Sequence, residues 1–286
     1  MKRTFPSLLA SLLLLASACG KDKTNTTPPD GTGGTGTGTT VEEPKAEPPP
    51  PQDPDPAELA QGVHQVLTGN YEQGIGILDP IYTGMREPSQ YRASGLAGGW
   101  LAVAHAQTVF ENADAPGQYA LEMAGKLQDP EVEATAKVGR GAFLLAQEDY
   151  EAARQALEAA AAAAPGTAPG ALAHLLLAES HIGSAFGSAS NTQIENPAEL
   201  DAAKLSYEAA VAAAEKAGSE RDILLGRAKE GLAAVAKYKS DKPAICANAL
   251  EAVEHYKAAG ASTFLLDGPS DLANAEKCGK GKGKGQ

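Results

Sequence analysis

The stretch that most restricts what this chain can fold into is Gly141 to Pro165, GAFLLAQEDYEAARQALEAAAAAAP. Val138, Ala142 and Leu145 fall on one face at helical spacing. Glu148-Asp149 interrupts that pattern. Tyr150 then opens a second run, with Ala153, Leu157 and Ala160 on one face. Pro165-Gly166 ends it, because proline cannot continue a helix and glycine accepts the left-handed turn. Small residues at Gly141, Ala153 and Ala160 let two helix backbones come close, and Tyr150 gives the pair one large ring to pack around. The pattern predicts a helical hairpin. Aromatics are only 5% of the 286 residues and alanine is abundant, which suits close-packed helices and argues against a β-sandwich.

The order Gly141, Tyr150, Ala153, Leu157, Ala160, Pro165 resembles the tetratricopeptide repeat, a helical hairpin of about 34 residues. The chain departs from that family in the first helix, where Lys137 and Arg140 replace large apolar residues. The resemblance implies an all-α array of hairpins whose use is to hold other proteins. It also implies that one stripe of each first helix lines a groove. Here that stripe is Val138, Ala142 and Leu145 in the most regular unit, and Leu59, Val63 and Val66 in the first. The same residues read equally as core. The lysine and asparagine with which some relatives grip a peptide carboxylate are absent from both units, so a small apolar groove suiting a helix or extended apolar segment is expected.

Other units are legible on either side. Glu58 to Thr68 is amphipathic, and Gly69-Asn70-Tyr71 is a turn followed by Ile75, Leu78 and Tyr82 on one face. A long helix from Ser89 to about Phe110 carries Gly95 and Gly99, a spacing that marks either close helix packing or, in a membrane span, dimerisation. The apolar run is too short for a span. Trp100, the only tryptophan, is read as a core anchor, with an exposed binding role as the alternative. Asp129-Pro130-Glu131 is a helix start. Gly183 to Asn196 is an insertion between the two helices of a hairpin, placed where repeat proteins often carry specificity. Asn196-Pro197 restarts the helix, with Ala203, Tyr207 and Ala210 in the second-helix pattern. Leu224, Ala228, Leu232 and Val235, then Ile245, Ala249 and Val253, stripe a last pair. The expectation is five hairpins over residues 57–260, with a short C-terminal segment at 261–286.

The beginning of the chain reads as an address. Residues 1–18 hold Lys2 and Arg3, then the apolar run Leu8 to Leu15, too short for an ordinary membrane span. Ala16-Ser17-Ala18-Cys19 resembles a bacterial lipobox, and also fits an ordinary signal-peptidase site. If Cys19 is acylated, an even pair remains, Cys246 and Cys278. In an exported chain these are a candidate disulfide. The resemblance implies a membrane anchor at Cys19, and Gly20 in the next position implies the outer membrane. Residues 19–56 are a Gly/Thr/Pro-rich tether. About 36 flexible residues would span roughly 33 Å.

Formal charge is −12, which argues against nucleic acid as a partner. The five histidines show no H-E-x-x-H, no Cys/His cluster has zinc spacing, and no glycine-rich loop ends in Lys-Ser/Thr. The carboxylates are expected on solvated helix faces. No metal, no cofactor and no enzymatic activity are expected. The basic string Gly279 to Gly285 is read as a solvated tail. The function expected is a lipid-anchored scaffold that holds an envelope protein during assembly of an outer-membrane or secretion complex. The alternative is a surface or periplasmic lipoprotein that contacts polysaccharide or peptidoglycan.

Overall fold

The computed structural model describes residues 48–187 and 193–278. Among these there is no strand, and eleven α-helices follow one another. They are α1 (Ala57–Leu67), α2 (Tyr71–Gly84), α3 (Tyr91–Ala106), α4 (Asp114–Leu127), α5 (Pro130–Ala146), α6 (Tyr150–Ala163), α7 (Ala168–Phe186), α8 (Pro197–Ala214), α9 (Arg221–Tyr238), α10 (Lys242–Ala258) and α11 (Thr263–Ala275). Each helix packs on the next. The odd-numbered helices α1 to α9 also pack on one another, α3 on α5 most extensively, so they form a continuous row with α2 to α10 outside it.

The local chemistry explains the pattern. Three of the turns inside hairpins use one geometry. In each, the second residue after the helix end takes the left-handed conformation, at Gly69, Glu148 and Ser240. The next residue's N–H then bonds back five positions: Asn70 to Gln65, Asp149 to Leu144 and Asp241 to Ala236. This closes the carbonyls that a helix end leaves open. Asp149 and Asp241 then cap α6 and α10 by accepting from the N–H groups of Ala152 and Ala244. Asp129 caps α5 the same way, accepting from Glu131 and Val132.

Because α3, α5, α7 and α9 touch neighbours on several sides, they cannot be simple two-faced helices. Nearly every residue of α3 from Ala93 to Ala106 is buried, and the helix carries small residues there. A Cβ on Gly99 would lie 2.9 Å from the backbone of Thr135 on α5. A Cβ on Gly141 would lie 2.5 Å from the side chain of Leu157. Overpacking of this kind costs about 1–3 kcal/mol. Trp100 is 3% exposed and sits in the core.

The C-terminal segment carries an eleventh helix: α11 packs on α10 and α9, burying Leu265, Leu272 and Ala273. The Cys246–Cys278 disulfide fastens its end to α10, with Cα atoms 5.3 Å apart. Closing a loop of this length stabilises by about 3–4 kcal/mol on a chain-entropy estimate. At the other end, residues 50–55 are not free tether. The Gln52 amide donates to the carbonyls of Pro50 and Pro88, Arg92 N–H donates to Gln52 Oε1, and the Ser89 hydroxyl donates to Asp53. The long helix expected from Ser89 to Phe110 is α3 alone, ending at Ala106, with a loop and a short 3-10 turn (Phe110–Asn112) before α4.

Candidate functional site

The row of odd-numbered helices curls until the first hairpin meets the last. His64 Nδ1 on α1 lies 2.9 Å from Glu220 Oε2, just ahead of α9. The backbone N–H of Ser262 donates to Thr68 O at 3.4 Å. Tyr71, at the start of α2, thereby reaches the inner faces of α7 and α9.

A charged cluster lies there. Arg227 of α9 is 8% exposed. Glu179 of α7, Glu230 of α9 and the hydroxyls of Tyr71 and Tyr256 act on it electrostatically. Among the described residues no carboxylate lies within 4.0 Å of its guanidinium. Glu230 accepts a hydrogen bond from the Tyr256 hydroxyl at 2.6 Å. Burial pushes the carboxyls of Glu179 and Glu230 up, and Arg227 works against that shift in both. Tyr207 and Tyr256 are pushed well above the ordinary phenol value, first by burial and then by these carboxylates. The Tyr71 hydroxyl is buried without a well-formed hydrogen bond. The expectation that carboxylates lie on solvated faces therefore fails at Glu179 and Glu230. The signal in the sequence is the spacing Ile223, Arg227, Glu230, which puts two charges on the helix face that carries buried Ile223.

The stripe expected to line a groove sits elsewhere. Leu59, Val66, Val138 and Ala142 are buried in the core, from 5% exposure down to none. Neighbouring helices cover them, Val66 lying directly against Gly74 of α2. Val63 and Leu145 alone keep some surface, and both pack against that core. Four of the six are thus not accessible to a partner.

The accessible concavity is on the outer side. A groove of about 400 Å³ runs between α8 and α10, above α9. Val211, Leu232, Val235 and Ala236 form its floor, and Lys204, Glu208, Lys229, Lys239 and Asp241 its rim. The rim lysines are tied to neighbours, Lys204 to Glu208 and Lys229 to Glu251 at 2.6 Å each, and Lys239 to Asp201. Such pairs hold rim side chains aside while adding little stability. The groove exists because outer helices of successive hairpins do not pack on one another as the odd helices do.

Among the described residues no group of three His, Cys, Asp or Glu side chains is arranged to hold a metal ion. His181 pairs with Glu199 at 2.5 Å, and His174 is half-buried with its pKa lowered by burial. No helix there is long and apolar enough to cross a membrane. Cys19, the signal segment expected at 1–18, most of the expected tether and the tail from Gly279 lie outside the described residues, as does the middle of the insertion expected at 183–196. Compared with protein-family models, with characterised proteins and with solved structures, the chain matches none.

Proposed function

We propose that this protein is a tetratricopeptide-like interaction scaffold, anchored through Cys19 to the outer membrane, that holds an amphipathic helix of an envelope protein in the groove between α8 and α10. The observation that carries the reading is that groove: two parallel walls of helix, an apolar floor at Val211, Leu232 and Val235, and a rim of both signs. Helix-in-groove recognition uses this arrangement, with the partner's apolar face down and its charged flanks against the rim. The buried stripe of the odd helices takes no part in it.

A photo-crosslinking side chain at Val211, in the full chain on intact membranes, tests the proposal. The expected result is one discrete adduct with an envelope protein, absent when the same group replaces the exposed Glu158 on α6. A diffuse smear at both positions would sink it. Adducts with cell-wall polymer alone would favour the polysaccharide-binding alternative. Changing Cys19 to alanine is expected to move the protein from the membrane to the soluble fraction. Continued retention would remove the anchor from the reading.

A further inference from the structure

The contact between the first and last hairpins differs in kind from the contacts between consecutive ones. Consecutive helices share long apolar faces. The first hairpin meets the segments leading into α9 and α11 through His64 and the turn Thr68 to Tyr71. Its elements are the His64–Glu220 pair at 2.9 Å, a long backbone bond from Ser262 N to Thr68 O at 3.4 Å, and Gly69 against Leu265 and Ser262. Two of the three buried side-chain oxygens without a hydrogen-bond partner among the described residues lie at this seam: the Tyr71 hydroxyl and Ser262 Oγ. A seam with hydroxyls that lack a well-formed hydrogen bond is held more weakly than one made of apolar faces, because such a hydroxyl gives up water for a poorer contact, Tyr71 having the Arg227 side chain beside it. Behind it lies a buried charge, Arg227, with Glu179 and Glu230 acting on it.

We infer that this seam is a reversible clasp: it opens without unfolding the hairpin array, and its opening admits solvent and solutes to the charged interior around Arg227 and Glu179. Arrays built from nearest-neighbour contacts bend as springs do, so a small change at each hairpin separates the ends. Gly69 permits close approach at the seam, since its φ of +82° suits glycine and its missing side chain leaves Leu265 room. The disulfide at Cys278 holds the far end of α11, so the seat for the turn stays in place while the turn leaves it. Local opening below the free energy of global unfolding is a general property of such weakly held contacts. The clasp stands independently of the outer groove.

Hydrogen–deuterium exchange on the full chain tests it through reciprocity. His64→Ala, on a partly exposed residue of α1, is expected to speed exchange about tenfold at Ser262 to Leu266, far away in sequence. Exchange at Val138 to Leu145 should stay unchanged. Leu265→Ala should do the same at Val66 to Tyr71. Simple fraying of α1 would leave Ser262 to Leu266 unaffected by His64→Ala, and that result overturns the clasp. So does equal acceleration of every helix, which would make the seam part of one cooperative unit. A Glu179→Cys thiol reports access: a maleimide should label it about tenfold faster when His64 is also alanine, and an unchanged rate overturns the gating. Should Leu265→Ala fail to fold, the His64 variant and the thiol carry the test alone.

Discussion

Two arginines sit at opposite extremes of how a guanidinium can be held. Arg92, at the start of α3, meets three carboxylates: Asp129 through Nε at 2.9 Å, Glu131 through Nη2 at 2.5 Å, and Asp55 through Nη1. Its side chain is 24% exposed, so water shares the task. Arg227 is buried, with Glu179 and Glu230 near it and neither in ion-pair contact. Near the surface a full set of partners is cheap to assemble and worth little per pair. In the interior an incomplete set is costly, because each charge has lost its hydration. The first cluster therefore fastens chain to chain, whereas in the second the cost of burying Arg227 is offset by the carboxyls and hydroxyls around it rather than by direct ion pairs.

The largest effect that would break this contrast belongs to Arg227→Met. Removing the buried cation leaves two half-buried carboxyls uncompensated, and urea denaturation should show a loss of about 3 kcal/mol at neutral pH. The loss should be smaller at pH 5, where the carboxyls take up protons. An unchanged stability would mean that the interior arginine offsets nothing. Next comes Arg92→Ala, expected to lose about 1–2 kcal/mol as several charge-assisted bonds go together. Limited proteolysis should then cut within residues 48–56, and 0.5 M salt should narrow the difference from the parent.

The pH dependence separates the clusters by sign. Glu179 and Glu230 are raised by burial above their unfolded values. The folded chain keeps those protons at a pH where the unfolded chain has lost them, so this contribution falls as pH rises from the unfolded value through the raised one. Asp129 goes the other way. Burial alone would raise it, but bonds from the N–H groups of Val132 and Glu131 and from Arg92 outweigh that and lower it. Its contribution is present above the unfolded value and is lost as pH falls through the lowered one. Glu179→Gln should flatten the decline in melting temperature between about pH 5 and 8, and Asp129→Asn should leave it intact. The smallest effect is Tyr71→Phe. Deleting a buried hydroxyl with no well-formed bond should leave stability unchanged or raise it by up to about 1 kcal/mol. A clear loss would show that Arg227 does use that oxygen.

The sequence carried what is local. Tyr150 after Glu148-Asp149, Asp129-Pro130 and Asn196-Pro197 mark helix starts because caps and prolines act within a few residues. Gly95, Gly99 and Trp100 could be placed in a packed interior because small and large residues at helical spacing have few other uses. What escaped is of two kinds. The helix α11 contains Gly268-Pro269, a pair that reads as punctuation, and tertiary packing of Leu265 and Leu272 overrides it. The meeting of His64 with Glu220 joins positions 156 apart, and no periodicity reports on that. The same non-locality hid the inner cluster. Arg227 and Glu230 looked like a solvated face because nothing in α9 says that Tyr71 of the first hairpin will cover it. The expected groove stripe failed for a related reason, since one helix's apolar face cannot tell a partner's groove from its own neighbour's.

The binding of residues 50–55 to α3 has a mechanical consequence. Tension arriving along the chain from its N-terminal side does not first reach α1. It is taken up by Gln52 on Pro88 and Arg92, by Asp53 on Ser89 and by Asp55 on Arg92, several bonds that share the load. The second hairpin is therefore the towing point of the molecule. The first hairpin, and the seam it makes with α11, ride behind that point as slack.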